Sequence, residues 1–432
     1  MDMPQITELK KLSTQLYEWM HQAHDQGMNV NPTLKPVLTE LRRAVKTFRG
    51  AKPKTSIAAN EPNDLAAIRN RRPVGPRRIW DNFDPKLYAE KVRGAYLGRA
   101  IGCTLGAIVE FNSIESMEAQ AAYANQPMPP TDYWKFTNNP WGKRYNLSPC
   151  EDYTLGKMNH VPVDDDLTYT LLGLLIMEDH GIDFTTADVG KAWLKYLPMA
   201  CTAEHVALEN LKKGVSWKQA GEKDNPYVEW IGADIRSDPW GYAAPGWPEK
   251  AAELAFRDAY ISHRYGGIYG EMYFAAAIAA AFTVDDPMTA CEIALSEIPR
   301  RCRVAEGIRW GLKTSEKVKD YRHAWELVLE KFHDMHGVHT INNACLTIFG
   351  LALGGRDVTK VIGNTVAMGL DNDCTAATAG SIVGAVVGAK GIPAHWTKPF
   401  KGKVRTYMNG REWFTIDDIV ARFGKIAAKV WT

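Results

Sequence analysis

Apolar residues recur at intervals of three and four through most of the chain, and no convincing run alternates apolar with polar positions. The spacing predicts an all-α fold. Leu9, Leu12, Leu16 and Met20 mark a helix over 6–24, and Leu34, Val37, Leu38, Leu41 and Val45 mark one over 33–48. The pair reads as a helical hairpin hinged at Asn29-Val30-Asn31-Pro32, an N-terminal extension over 1–50. From 51 to 79 the chain turns polar, with prolines at 53, 62, 73 and 76 and basic residues including Lys52, Lys54, Arg69, Arg71, Arg72, Arg77 and Arg78. This stretch reads as a linker or wrapping arm.

The main domain is predicted to span 80–432. Its first helix, Tyr88 to Glu110, carries Gly94, Gly98, Gly102 and Gly106 at a four-residue interval. That interval places all four on one face, where a second backbone can approach closely. Each glycine costs a helix about 1 kcal/mol relative to alanine, so a close-packed neighbour must offset it. Further helices are predicted at 165–179, 187–197, 203–213, 249–262, 268–282, 287–296, 300–313, 318–332, 340–352, 357–368, 374–389 and near 416–430.

Composition narrows the class. A chain of 432 residues that is 45% hydrophobic can bury a large core. A formal charge of +2 gives no bulk field favouring nucleic acid or an anionic membrane. The start, MDMPQITELKK, is amphipathic rather than a leader, and the apolar run near Met272 to Phe282 is about 11 residues, too short for a membrane span. Seven scattered cysteines with no CxxC pair argue for reduced thiols, a cytoplasmic setting and no structural zinc.

The chemistry concentrates at two acidic helix openings. Asp164-Asp165-Asp166 precedes an apolar segment through Leu175, and Asp371-Asn372-Asp373-Cys374-Thr375 opens the small-residue run Ala376 to Ala389. Capping and the helix dipole account for either cluster taken singly. Acids at this density, set against apolar helices, resist ionising together unless a cation sits among them. Hard oxygen donors without a Cys/His cluster suit Mg²⁺, Mn²⁺ or Ca²⁺, with Thr375 or Thr168 adding a hydroxyl oxygen. Gly369 gives the second opening its turn freedom.

Two irregular stretches, 111–162 and 230–247, are rich in aromatics. Flat rings on loops stack on sugar and base faces, which makes Trp134, Trp240 and Tyr242 candidate substrate contacts. His263, before the glycine-rich break Tyr265-Gly266-Gly267, is either a structural residue or one that orients substrate. His339 and Asn343, one turn apart, read as structural.

These blocks, in this order, resemble the ADP-ribosylglycohydrolase family, the group that includes the dinitrogenase-reductase-activating glycohydrolase. Gly94 to Glu110 is similar to its glycine-rich opening helix ending in Val-Glu. Asp164-Asp165-Asp166 is similar to its Thr/Ser-Asp-Asp motif, Ser262-His263 to its Thr-His segment, and Asp371 to Gly380 to its closing Asp-x-Asp motif and glycine-rich helix. The resemblance covers roughly 88–395 and leaves the first 80 residues without a counterpart. It departs from the pattern at Asp164, Leu167, Cys103 and Cys374, the last standing where a hydroxyl ligand is common.

The resemblance implies a compact multi-helix orthogonal bundle that holds two Mg²⁺ ions, with Mn²⁺ an alternative, between the acidic clusters. Asp164, Asp165, Asp166, Asp371, Asp373 and Thr375 or Cys374 are the implied ligands, and Glu110 or Asp166 the implied catalytic carboxylate. The expected activity is metal-dependent hydrolysis of a glycosidic bond in an ADP-ribosylated protein or a related ribosyl substrate. The alternatives are a glycosidase acting on a small glycoside or nucleoside, and a non-catalytic sugar-binding relative.

Overall fold

Glycine spacing on one helix and small residues on another dictate the centre of the computed structural model, which describes residues 4–51 and 53–432. Eight helices carry the architecture. In chain order they are α1 (Pro4–Asp25), α2 (Asn31–Arg49), α3 (Pro85–Gly106), α4 (Asp165–His180), α5 (Gly266–Ala281), α6 (Thr340–Gly354), α7 (Asn372–Val387) and α8 (Ile416–Trp431). Shorter helices fill the intervals, and the strands among the described residues form only two small hairpins, Lys143–Arg144 with Ser148–Pro149 and Lys403–Arg405 with Trp413–Thr415. The fold is all-α, as the periodicity predicts.

α3 and α7 pack along the predicted glycine face. A Cβ on Gly94, Gly98, Gly102 or Gly106 would lie within 3.0 Å of the backbone of Gly384, Gly380, Ala376 or Asp373 respectively. The two helices therefore meet backbone to backbone, and the last of these contacts sets the end of α3 directly on the acidic start of α7. α3 stops at Gly106, so Glu110 lies in the turn beyond it rather than in the predicted helix. Behind this pair sits α5, apolar except for Glu271 and the tyrosine hydroxyls and buried along its entire length, as expected of a central helix.

The extension is a helical hairpin broken at 26–30, close to the predicted hinge. It contributes little to the core: α2 buries none of its residues, and Trp19 and Phe48 are exposed. Arg49 pairs with Asp224 of the main body at 3.2 Å. The polar stretch that follows is an arm bound to the surface, with short helices at Thr55–Asn60 and Leu65–Arg71. Several of its charges pair with acids of the main body. Arg69 pairs with Glu253 at 3.0 Å, Arg72 with Glu297 at 2.6 Å, Arg77 with Glu297 at 2.8 Å, and buried Glu61 with Arg303 at 2.7 Å. Arg78 lies over the rings of Trp247 and Trp431. Lys52 falls outside the described residues.

Four expected substrate contacts belong to the interior instead. Trp134 is 1% exposed and donates its indole N–H to the Leu105 carbonyl at 3.0 Å. Trp240 donates to Glu271 at 2.7 Å, and Tyr242 shares its hydroxyl with Asp238 and Ser381. His263 is wholly buried, its Nδ1 at 2.8 Å from the Ser262 hydroxyl. The sequence places these rings beside irregular backbone, but the stretch around Trp240 folds into short helices pressed against α5. Buried rings with a polar tip need an internal partner, and each of these has one.

Candidate functional site

The two acidic openings meet. Asp164 is the N-cap of α4, in extended conformation, and its Oδ1 accepts the Asp166 amide at 3.1 Å. Asp371 is the N-cap of α7 and follows a turn that requires left-handed backbone, with φ +73° at Gly369 and +57° at Leu370. Gly369 thus supplies the freedom predicted for it, whereas Asp373 lies inside the first helical turn. Asn343 of α6 accepts the Asp371 amide at 3.4 Å and so braces the start of α7.

Between the clusters stands Arg144, at the end of the first strand of the small hairpin. Its Nη2 lies 2.8 Å from Asp164 and 3.0 Å from Asp373, and its Nη1 lies 2.8 Å from Glu110. One guanidinium therefore joins acids from three separate segments. The adjacent Tyr145 donates its hydroxyl to Asp165 at 2.8 Å. Sequence reasoning missed Arg144 and counted Tyr145 only as one ring of the aromatic-rich stretch 111–162, because nothing distinguishes a Lys-Arg-Tyr in an irregular stretch from a solvated loop.

Asp166 takes a different position from its neighbours. One of its oxygens pairs with buried Arg99 at 3.0 Å and the other accepts the Cys374 thiol at 3.2 Å. It is completely buried and does not line the cleft, which corrects its expected use as the base acting on substrate. Its carboxylate has both oxygens occupied and serves to seat the start of α4. Thr168 is likewise withdrawn, its hydroxyl donating to the Asp164 carbonyl at 2.6 Å.

The cleft over the acids encloses about 480 Å³. Glu110, Asp165, Asp371, Asp373 and Cys374 form its floor with Arg144 and Tyr145. Its walls come from Phe111, Cys201, Thr202, Glu204, Val338 and the segment from Trp230 to Gly232. Trp230 stacks on His336 with ring centroids 4.2 Å apart, and Phe111, at φ +57°, is half exposed at the rim. With Tyr145 on the floor, these two rings are the aromatic contacts that the cleft offers.

Burial raises the affinity of the floor for protons. It pushes the Asp165 carboxyl up to about 6, with Asp164 adding to the effect, and Asp371 up to about 7, with Glu110 adding to it. Burial also raises Glu110 against the opposing pull of Arg144, and raises Asp373.

A divalent cation fits this donor set. Asp371 Oδ1, Asp373 Oδ1 and Thr375 Oγ1 are buried without a hydrogen-bond partner, a condition native proteins resolve with a cation or a donor. Asp371, Asp373 and Cys374 bring ligand atoms within 4.8 Å of one another, and so do Cys103, Asp164 and Asp166. Carboxylate and hydroxyl oxygens suit Mg²⁺ and Mn²⁺, and the two thiols add softer donors. No helix among the described residues is long and apolar enough to cross a membrane.

The sequence profile described as ADP-ribosylglycohydrolase matches residues 84–427. The match begins after the extension and arm, and it contains every acid of the cleft floor. A solved structure titled "ADP-ribosylglycohydrolase-related protein complex" aligns at a TM-score of 0.48 with 18% identity, over 79% of this chain and 99% of that one. No curated protein matches the sequence.

Proposed function

Because the chain belongs to the ADP-ribosylglycohydrolase family, a family of glycohydrolases, we propose that its cleft hydrolyses the glycosidic bond at the anomeric carbon of an ADP-ribosyl or related ribosyl substrate. The convergence of Glu110, Asp165, Asp371 and Asp373 on one floor, with Asp164 joined to them through Arg144, carries this reading; the two acidic openings lie about two hundred positions apart in the chain.

Asp371, Asp373 and Thr375 or Cys374, faced by Asp165, would hold the divalent ion, Mg²⁺ or Mn²⁺, with Asp164 bordering it through its bonds to Arg144 and the Asp166 amide. When bound, it supplies Lewis-acid stabilisation of sugar oxygens and a more acidic water. Glu110 is the proposed catalytic carboxylate. It lies at the edge of the floor, where burial raises its proton affinity against the pull of Arg144, as suits a group that takes up and returns a proton. Arg99 fixes Asp166 and thereby the first turn of α4. Trp230, Ile231 and Val338 supply an apolar wall against which a flat base or sugar face can lie.

The test offers ADP-ribosylated protein and a panel of small N- and O-glycosides to the wild type and to the D165A/D373A double variant, with Mn²⁺ content measured in parallel. Hydrolysis of ADP-ribosylated protein that the double variant loses, together with its metal, supports the reading. Turnover of small glycosides alone moves the assignment to a metabolite glycosidase. Ligand binding without turnover points to a recognition protein. Metal and activity that both survive in the double variant would place the site elsewhere.

A further inference from the structure

The two halves of the acidic floor are not equivalent. On the α7 side, Asp371 Oδ1, Asp373 Oδ1 and Thr375 Oγ1 lack any protein donor. On the α4 side, both Asp164 oxygens are engaged, Oδ1 by the Asp166 amide and Oδ2 by the Arg144 guanidinium at 2.8 Å. The same Nη2 reaches Asp373 Oδ2 at 3.0 Å, so Arg144 lies on the line a cation would take to bridge the clusters.

The placement of Arg144 is not a chance excursion of a long side chain. Its strand pairs Arg144 with Ser148, the turn between them is tightened by left-handed Tyr145 and Asn146 at φ +53° and +58°, and the Leu147 amide closes on the Arg144 carbonyl at 3.0 Å. Its Nη1 is held by the Ala107 carbonyl at 2.5 Å and by Glu110 at 2.8 Å. A guanidinium is planar, permanently charged and able to satisfy several carboxylates at once, which suits it to this position better than lysine.

We propose that Arg144 is a resident cation filling the bridging position between Asp164 and Asp373, so that this protein takes a single divalent ion, on the Asp371–Asp373–Thr375 side. The inference rests on the reading of the floor as a metal site. Removing the guanidinium frees Asp164 Oδ2 and Asp373 Oδ2 and opens the second position to a metal.

The experiment is a Mn²⁺ titration followed by the electron paramagnetic resonance signal of the free ion, on wild type, R144M and R144Q purified with Mn²⁺ and then stripped. The wild type is expected to bind one ion, and each variant two. Melting in EDTA is expected to be lower for both variants than for wild type, with the difference removed by Mn²⁺, since three carboxylates lose their counter-charge. Two ions in the wild type, or one ion in all three proteins, would overturn the proposal while leaving the metal site standing. No ion in any of them would overturn both readings.

Discussion

Gly98 and Gly380 face each other across α3 and α7 so closely that a Cβ on either would lie within 3.0 Å of the other's carbonyl oxygen. No side-chain movement relieves that overlap, because the obstruction is backbone. Gly98→Ala is therefore expected to destabilise the protein by about 3 kcal/mol or more, the upper end of overpacking costs. Gly424, in α8, meets nothing nearer than 3.9 Å. Gly424→Ala should be neutral or stabilising by up to about 1 kcal/mol. Urea melts of the two variants check the contrast.

Asp371 carries a buried oxygen with no donor, in a protein region already crowded with acids. In EDTA, Asp371→Asn is expected to raise the melting temperature by removing an uncompensated charge. The same change should weaken Mn²⁺ binding at least about 100-fold, at or above the loss typical of an outer partner. Stabilisation without metal and its loss with metal, read by thermal melts at fixed Mn²⁺, distinguish a ligand from a packing residue.

Glu204 shares one guanidinium, Arg236, with Asp258 and Glu271. Burial pushes its carboxyl up to about 7 although Arg236 pulls it down. The folded form thus holds the proton more tightly than the unfolded chain does. The stability this contributes is complete below the ordinary carboxylate range and is lost as pH rises through about 7. The metal-free protein should melt several degrees lower at pH 8 than at pH 5, and Glu204→Gln should flatten that slope.

Trp230 and Trp240 separate a wall residue from a core residue. Trp230→Ala is expected to raise KM for a ribosyl substrate about tenfold with little change in kcat, as lost stacking of about 1–3 kcal/mol implies. Trp240→Ala is expected to cost about 3–5 kcal/mol of stability, and to leave KM unchanged in whatever fraction stays folded. Steady-state kinetics beside thermal melts decide both.

Helix positions were legible because their signal is local. The segments predicted at 187–197, 249–262 and 340–352 are observed at Thr186–Tyr196, Pro248–Ala259 and Thr340–Gly354, and the glycine interval foretold a partner backbone. The acidic floor was legible for a related reason: dense carboxylates at the start of an apolar helix are costly unless something answers them. Arg144 was not, since its role depends on a three-residue turn that only tertiary contacts orient. The rings failed in the opposite direction. Trp134 and Tyr242 look like loop aromatics in sequence, and only packing reveals Leu105 and Ser381 as their partners.

The seam between α3 and α7 also divides the cleft into parts with different freedom to change. Asp371 and Asp373 hang from a helix end locked by main chain against main chain, a joint that tolerates almost no substitution. Phe111, Trp230 and Val338 stand on connecting segments outside that joint, and Thr202 at the start of a separate short helix. Evolution, or an engineer, can therefore exchange what the pocket grips by rewriting its walls while the acidic floor stays as it is.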